Sequence, residues 1–201
     1  MKRIIITIGR EYGSGGKEIG EKLAEELAIP FYDKELLTVA AQKSGMCKEI
    51  FETHDEKPTN SFLYSLVAGN YATGNMPINH KLFLAQFEAI KDIAAKGSCV
   101  IIGRCADYAL EEDPDMISVF IHSDIETRVK RAIKNYGIDS EKAEEIINKT
   151  DKKRASYYNF YSGKKWSDVD SYDLAINSSI TGIDGAVELI KNLVEIKHRE
   201  N

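Results

Sequence analysis

Behind the apolar run Ile4–Ile6, the stretch TIGREYGSGGKEIG (residues 7–20) places Gly13, Ser14, Gly15 and Gly16 directly ahead of Lys17 and a helical pattern. Backbone N–H groups of such a run, together with the free N-terminus of the following helix, can converge on one phosphate. Glycines are required there because a Cβ would block close approach and positive φ angles. Lys17 adds a mobile charge where β- and γ-phosphates would lie. The pattern departs from G-x-x-x-x-G-K-[ST]: Glu11 stands where the first glycine belongs and Glu18 where the hydroxyl belongs. That hydroxyl normally helps hold magnesium, so three readings stay open. Glu18 contacts the ion, Asp33 anchors it, or Lys17-Glu18 is simply an amphipathic helix start. A dinucleotide loop fits less well: Gly13 and Gly15 begin G-x-G-x-x-G, and Asp33 or Glu35 falls near the ribose-acid spacing, but Glu18 takes the third glycine's place. The plain alternative is a strand-to-helix turn with no ligand.

Phosphoryl transfer needs positive charge over the migrating group, since the protein's task is mainly positioning and charge stabilisation. Arg128 and Arg131, three apart on a predicted helix, share a face. Lys152, Lys153, Arg154, Lys164 and Lys165 form a basic stretch interleaved with Tyr157, Tyr158 and Tyr161. The competing reading is a solvated helix face, and the tyrosines read as packing residues. His122 reads as a hydrogen-bonded structural residue, and Cys99 and Cys105 as small packing residues.

The elements that must hold these groups alternate along the chain. Residues 3–8 read as a strand buried on both faces. Ile19, Leu23 and Leu27 make the apolar stripe of a helix over 17–28, stopped by Pro30. FYD at 31–33 reads as a brief strand, 34–44 as a helix closed by Gly45, and 80–96 as a helix ended by Gly97. Strands are predicted at 99–103, 116–122 and 173–177, with helices at 124–135, 139–160 and 183–197. Residues 47–79, broken by Pro58, Gly69, Gly74 and Pro77, suit short helices and loops covering a site. Alternation over one domain implies a parallel sheet covered on both faces, with ligands at the carboxyl ends of its strands. Asp33, Gly103-Arg104, His122 and the glycine loop all fall at such ends.

A chain of 201 residues fits one domain, and its 43% hydrophobic content is ordinary for a globular protein. No apolar run approaches the roughly 18–20 residues that span a bilayer, and the N-terminal apolar stretch runs straight into charge, so neither membrane insertion nor export is expected. Three cysteines, Cys47, Cys99 and Cys105, lack metal-type spacing, which suits reduced thiols in the cytoplasm. A net charge of −5 argues against duplex nucleic acid as partner while leaving room for a local anion site.

REYGSGGKEIGEKLAEELAIPFYDKELL, QFEAIKDIAAKGSCVIIGRCADYAL, VFIHSDIETRVKRA, DKKRASYYNFYSGKKW and YDLAINSS together resemble the cytidylate-kinase-like family of P-loop nucleoside monophosphate kinases, over the chain except about 47–79. The resemblance implies a P-loop NTPase-type α/β three-layer sandwich: a five-stranded parallel sheet, a helical lid at about 128–168, and an acceptor-binding region that includes the variable segment 47–79, all in one domain over 1–201. It implies an ATP- and Mg2+-dependent kinase acting on small-molecule nucleotides. Gly13 to Glu18 would hold the donor phosphates, with Lys17, Arg128, Arg131 and Arg154 as catalytic cations. On the acceptor side it places Asp33 and Arg104, and Gln86 within reach of the acceptor nucleotide. The acid that follows the arginine in G-R-D is replaced by Cys105, with Asp107 two positions on, which puts cytosine specificity in question. Aligning Gly13-Ser14-Gly15 with the family's G-S-G puts Gly16 at the lysine place, whereas aligning Gly16-Lys17 shifts the glycines; a loop enlarged by one residue reconciles the two. Other readings on the same fold are a kinase for another small metabolite and a nucleotide-binding regulator without turnover.

Overall fold

A computed structural model describes residues 2–46, 48–54 and 77–200. Most of the predicted variable region 47–79 therefore lies outside the described residues. Five strands, β1 (Ile5–Arg10), β2 (Phe31–Tyr32), β3 (Cys99–Ile102), β4 (Met116–His122) and β5 (Leu174–Asn177), form one sheet in the order β2-β3-β1-β4-β5. Every pairing is parallel, with Ile6 opposite Val100 on one side and Ile117 on the other.

The unbroken apolar runs arise because both faces of the sheet are covered. Side chains alternate across a strand, so Ile6, Ile8, Val100, Ile102, Val119 and Ile121 pack towards α1 (Gly16–Leu27) and α8 (Ser178–Glu200), against Ile19, Leu23, Val187 and Ile190. Ile5, Cys99 and Ile101 pack on the opposite face against Leu36 and Leu37 of α2 (Glu35–Ser44), Phe51 of α3 (Lys48–His54), and Leu82 and Ile90 of α4 (Ile78–Ala95). This is the expected three-layer sandwich. Gly20 lets α1 sit close on the sheet, since a Cβ there would lie 2.7 Å from Ile102 Cδ1.

A third cluster covers the carboxyl edge. Tyr157, Tyr158 and Tyr161 of α7 (Ala143–Ser162) bury their rings with Phe83, Cys105, Phe120 and Trp166, Phe83 and Tyr161 stacking with centroids 3.9 Å apart. The packing role predicted for the tyrosines holds. Several boundaries differ from expectation. β1 runs on to Arg10, a short α5 (Ala106–Ala109) follows β3, and α6 spans Ile125–Tyr136, with Asp124 capping it by accepting from Thr127 N. The final helix begins at Ser178, kinked at Gly182 (φ 66°, ψ −170°), because helical geometry resumes on both sides of that one glycine. Among the described residues no helix is long and apolar enough to cross a membrane.

Candidate functional site

β1 ends at Arg10 and α1 begins at Gly16, so residues 11–15 form the loop between them. Gly13 and Gly15 take φ of 78° and 82°, a region costly for residues with a Cβ. Space forbids a side chain as well: a Cβ at Gly13 would lie 2.7 Å from the Arg128 carbonyl oxygen, and one at Gly15 2.6 Å from Ile183 Cδ1. The loop is thus clamped between the sheet, α6 and α8. Beyond it, the first turn of α1 offers amide groups with no intrahelical acceptor, which is the elementary anion-binding feature of a helix start.

The clamp is made of charged groups. Arg128 Nε donates to the Tyr12 carbonyl at 2.8 Å, and its guanidinium pairs with Asp151 and, at 3.2 Å, with Glu11. Asp151 accepts from Tyr12 N at 2.7 Å, and Glu11 accepts from Ser123 N at 3.0 Å. Ser14 O accepts from Arg131 Nη1 at 2.7 Å and from the Ser178 hydroxyl at 2.6 Å. Glu11, which departs from the glycine pattern, is therefore an anchor between the loop, β4 and α6. Arg128, 7% exposed, holds the loop's outer side, and Arg131 holds a loop carbonyl.

On the inner side Lys17 Nζ lies 3.1 Å from Asp33 Oδ2 and 3.6 Å from Glu21, with its side chain 47% exposed. Arg104 Nη1 donates to Asp33 O at 2.9 Å and to Ile102 O at 3.2 Å, and lies 3.3 Å from Asp33 Oδ1. The backbone that turns Arg104 inward is left-handed at Gly103, Arg104 and Cys105, with φ of 67°, 56° and 55°. Two consecutive non-glycine residues in that region mark stored strain. Burial acts to raise the Asp33 carboxyl, but Arg104, Arg10 and Lys17 together hold it below the usual carboxylate range.

The predicted acceptor and lid residues meet across α7. Tyr158 donates to Asp107 Oδ2 at 2.6 Å, Tyr157 donates to Gln86 Oε1 at 3.0 Å, and Arg154 Nη1 donates to Arg10 O at 3.1 Å. Arg10, Arg104, Asp107, Arg154, Tyr158 and Tyr172 line a cavity of about 20 Å3, room for roughly one water molecule. Burial raises the Asp107 carboxyl, with the Tyr158 bond working the other way.

The fold thus brings Lys17, Asp33 and Arg104 into one cluster and Gln86, Asp107 and Arg154 into the adjoining one. It sets Arg128 and Arg131 behind the loop and leaves Glu18 exposed on α1. Gly15 caps α1, so Gly16 occupies its first turn ahead of Lys17. Sequence reasoning missed Arg10 and Asp151. Arg10 stood in plain view before the glycines, whereas Asp151, 139 residues from its partner Tyr12, gives no local signal.

Comparison with known proteins gives a consistent result. The sequence profile of the cytidylate kinase-like family matches residues 5–180. A cytidylate kinase of Pyrococcus horikoshii is 26% identical over 195 residues, covering 96% of this chain and 89% of that protein. One of Archaeoglobus fulgidus is 28% identical, covering 96% and 95%. Among solved structures, an uncharacterized protein from Eubacterium ventriosum superposes with a TM-score of 0.72 at 34% identity, covering 96% of this chain and 99% of that one. A shikimate kinase from Bacteroides thetaiotaomicron shares the fold, with a TM-score of 0.55 at 17% identity over 96% and 98% of the two chains.

Proposed function

Since the chain belongs to the cytidylate kinase-like family, we propose that it transfers the γ-phosphoryl group of ATP to a CMP-like nucleoside monophosphate. The observation that carries this reading is the convergence of the clamped loop, the N-terminus of α1 and the Lys17–Asp33–Arg104 cluster at the carboxyl end of the sheet. Donor phosphates would lie on residues 13–16 and the first turn of α1. Arg104, a planar fork held by backbone carbonyls, would face the acceptor phosphate. Arg154 on α7 would add charge over the donor, with Arg131 and Arg128 holding the loop in shape.

In this reaction an acceptor phosphate oxygen attacks the γ-phosphorus in line while the bond to the β–γ bridging oxygen breaks, yielding ADP and a nucleoside diphosphate. The nucleophile is already anionic, so no general base is required; positioning and charge do the work. Among the described residues no group of three or more metal-type side chains forms a cluster. Mg2+ commonly binds through one or two carboxylates plus substrate phosphates, and Asp33 would be the carboxylate at hand. The ion would neutralise phosphate charge during transfer.

A specific observation favours a second reading, a kinase for another small metabolite. Cys105 follows Arg104 where the G-R-D pattern has an acid, and Asp107 is bonded to Tyr158, which supports an acceptor other than a cytosine nucleotide. A coupled ADP-release assay across CMP, dCMP, UMP, AMP and non-nucleotide acceptors tests both. Turnover with CMP or dCMP supports the first reading, and turnover confined to a non-nucleotide acceptor supports the second. ATP binding without ADP formation on any acceptor defeats both in favour of a nucleotide-binding regulator.

A further inference from the structure

The cation that follows the glycines in sequence is not the one that crosses the phosphate loop in space. A Cβ built on Gly16 would lie 2.5 Å from Arg10 Cβ and 3.2 Å from Arg10 Cγ, with Ile121 Cβ at 3.3 Å. The Arg10 stem therefore passes directly over the first residue of α1, and Gly16 is buried beneath it. Neither lysine nor any other side chain can occupy position 16 while that stem is there. The two features exclude one another, so a glycine at 16 and a long cation at 10 form one device.

Beside Gly16, Arg10 lines a cavity together with Arg104, Asp107, Arg154 and Tyr172. Its charge acts on Tyr172 in that cavity and on Asp33 beyond it, favouring the ionised form of each. Arg10 thus lies between the phosphate loop and the acceptor cluster. Lys17 starts one residue further along α1, on its exposed side, and is paired with Asp33 and Glu21.

We propose that Arg10 supplies the positive charge on the transferred phosphoryl group, and that Lys17 serves the acceptor side by pairing with Asp33. This rests on the kinase reading above. A guanidinium suits the place because its planar fork can bind two phosphate oxygens at once, and it reaches the loop from the strand that precedes it.

The test combines MgATP titration calorimetry with steady-state kinetics, on the acceptor giving the highest turnover, for wild type, Arg10→Gln, Arg10→Lys, Gly16→Ala and Lys17→Gln. Arg10→Gln is expected to lose roughly 10²–10³-fold in kcat, the scale for removing one preorganised charge-stabilising donor. Arg10→Lys should recover part of that loss. Lys17→Gln should raise the acceptor KM more than it weakens MgATP binding. If Arg10→Gln unfolds, Gly16→Ala and Arg10→Lys decide, since the first displaces the stem while keeping its charge and the second keeps the charge on a different head group. Wild-type kcat in both overturns the proposal, as does a folded Arg10→Gln with wild-type kcat. A wild-type protein that turns over ATP with no acceptor overturns the kinase reading first and the role of Arg10 with it.

Discussion

The Tyr158 hydroxyl donates to Asp107 Oδ2 across 2.6 Å, tying α7 to the short helix after β3. With the Tyr157–Gln86 and Arg154–Arg10 bonds it holds α7 down on the site, leaving a cavity of about 20 Å3. These polar bonds join α7 to β1, α4 and α5 at the carboxyl edge, apart from the apolar packing beneath the sheet.

Tyr158→Phe removes the donor and leaves a buried carboxylate oxygen without it. The expected cost is about 1–3 kcal/mol, which for a chain of this size lowers Tm by roughly 2–4 °C per kcal/mol. Scanning calorimetry on the two proteins at pH 7 checks this, and an unchanged Tm would show that the bond contributes nothing net.

The same carboxylate gives a pH-dependent prediction. Burial raises the Asp107 carboxyl above its ordinary value of 3.8, so the folded chain binds this proton more tightly than the unfolded chain. Stability from this group then falls as pH rises through the interval between the two values, and above it the charged form is a standing penalty. Asp107→Asn keeps an acceptor for Tyr158 and carries no charge. Its Tm is expected to exceed wild type at pH 7, with the difference vanishing below pH 3.8. A difference that grows on acidification would reverse the assigned sign.

The layered fold was legible because parallel strands buried on both faces must be apolar at successive positions, as IIITI and CVIIG are. The loop was legible because Gly13 to Gly16 have no better explanation than a backbone that side chains would obstruct. The clamp around it was not. Glu11 reads locally as a broken motif, and only the folded chain brings Arg128, Asp151 and Ser123 to it. Arg10 escaped for a similar reason: its importance lies in crossing Gly16, a contact between the end of a strand and the start of the next helix that no periodicity encodes.

Arg128 carries a stability prediction. Its guanidinium is buried against Asp151 and Glu11, and removing one partner of a buried pair strands the other, at about 3–5 kcal/mol. Arg128→Met should fall in that range by urea denaturation. The double variant Arg128→Met with Asp151→Leu should recover part of the loss, because the more buried of the two carboxylates beside the missing cation is then gone and only the less buried Glu11 of that pair stays. A double variant less stable than the sum of the two single changes would show that the clamp works through shape and not through charge pairing. Both variants should also lose the thermal shift given by MgATP, since the carbonyls of Tyr12 and the loop are no longer fixed.

Arg104→Lys separates charge from geometry on the acceptor side. The guanidinium donates from Nη1 to Asp33 O and Ile102 O and lies 3.3 Å from Asp33 Oδ1. An ammonium keeps the charge that holds Asp33 ionised, but it is a point donor and cannot make the planar contact with a phosphate. The loss of one charge-assisted bond at about 1.5–3 kcal/mol corresponds to a rise in acceptor KM on the order of 10- to 100-fold, with the KM for ATP changed little. Because Asp33 stays paired, Tm should fall by less than in Arg104→Ala, where the buried carboxylate loses the strongest of the charges that stabilise it. Steady-state kinetics with each substrate varied in turn reads the split. An equal rise in both KM values would place Arg104 in the framework shared by the two sites, and a rise confined to ATP would assign it to the donor.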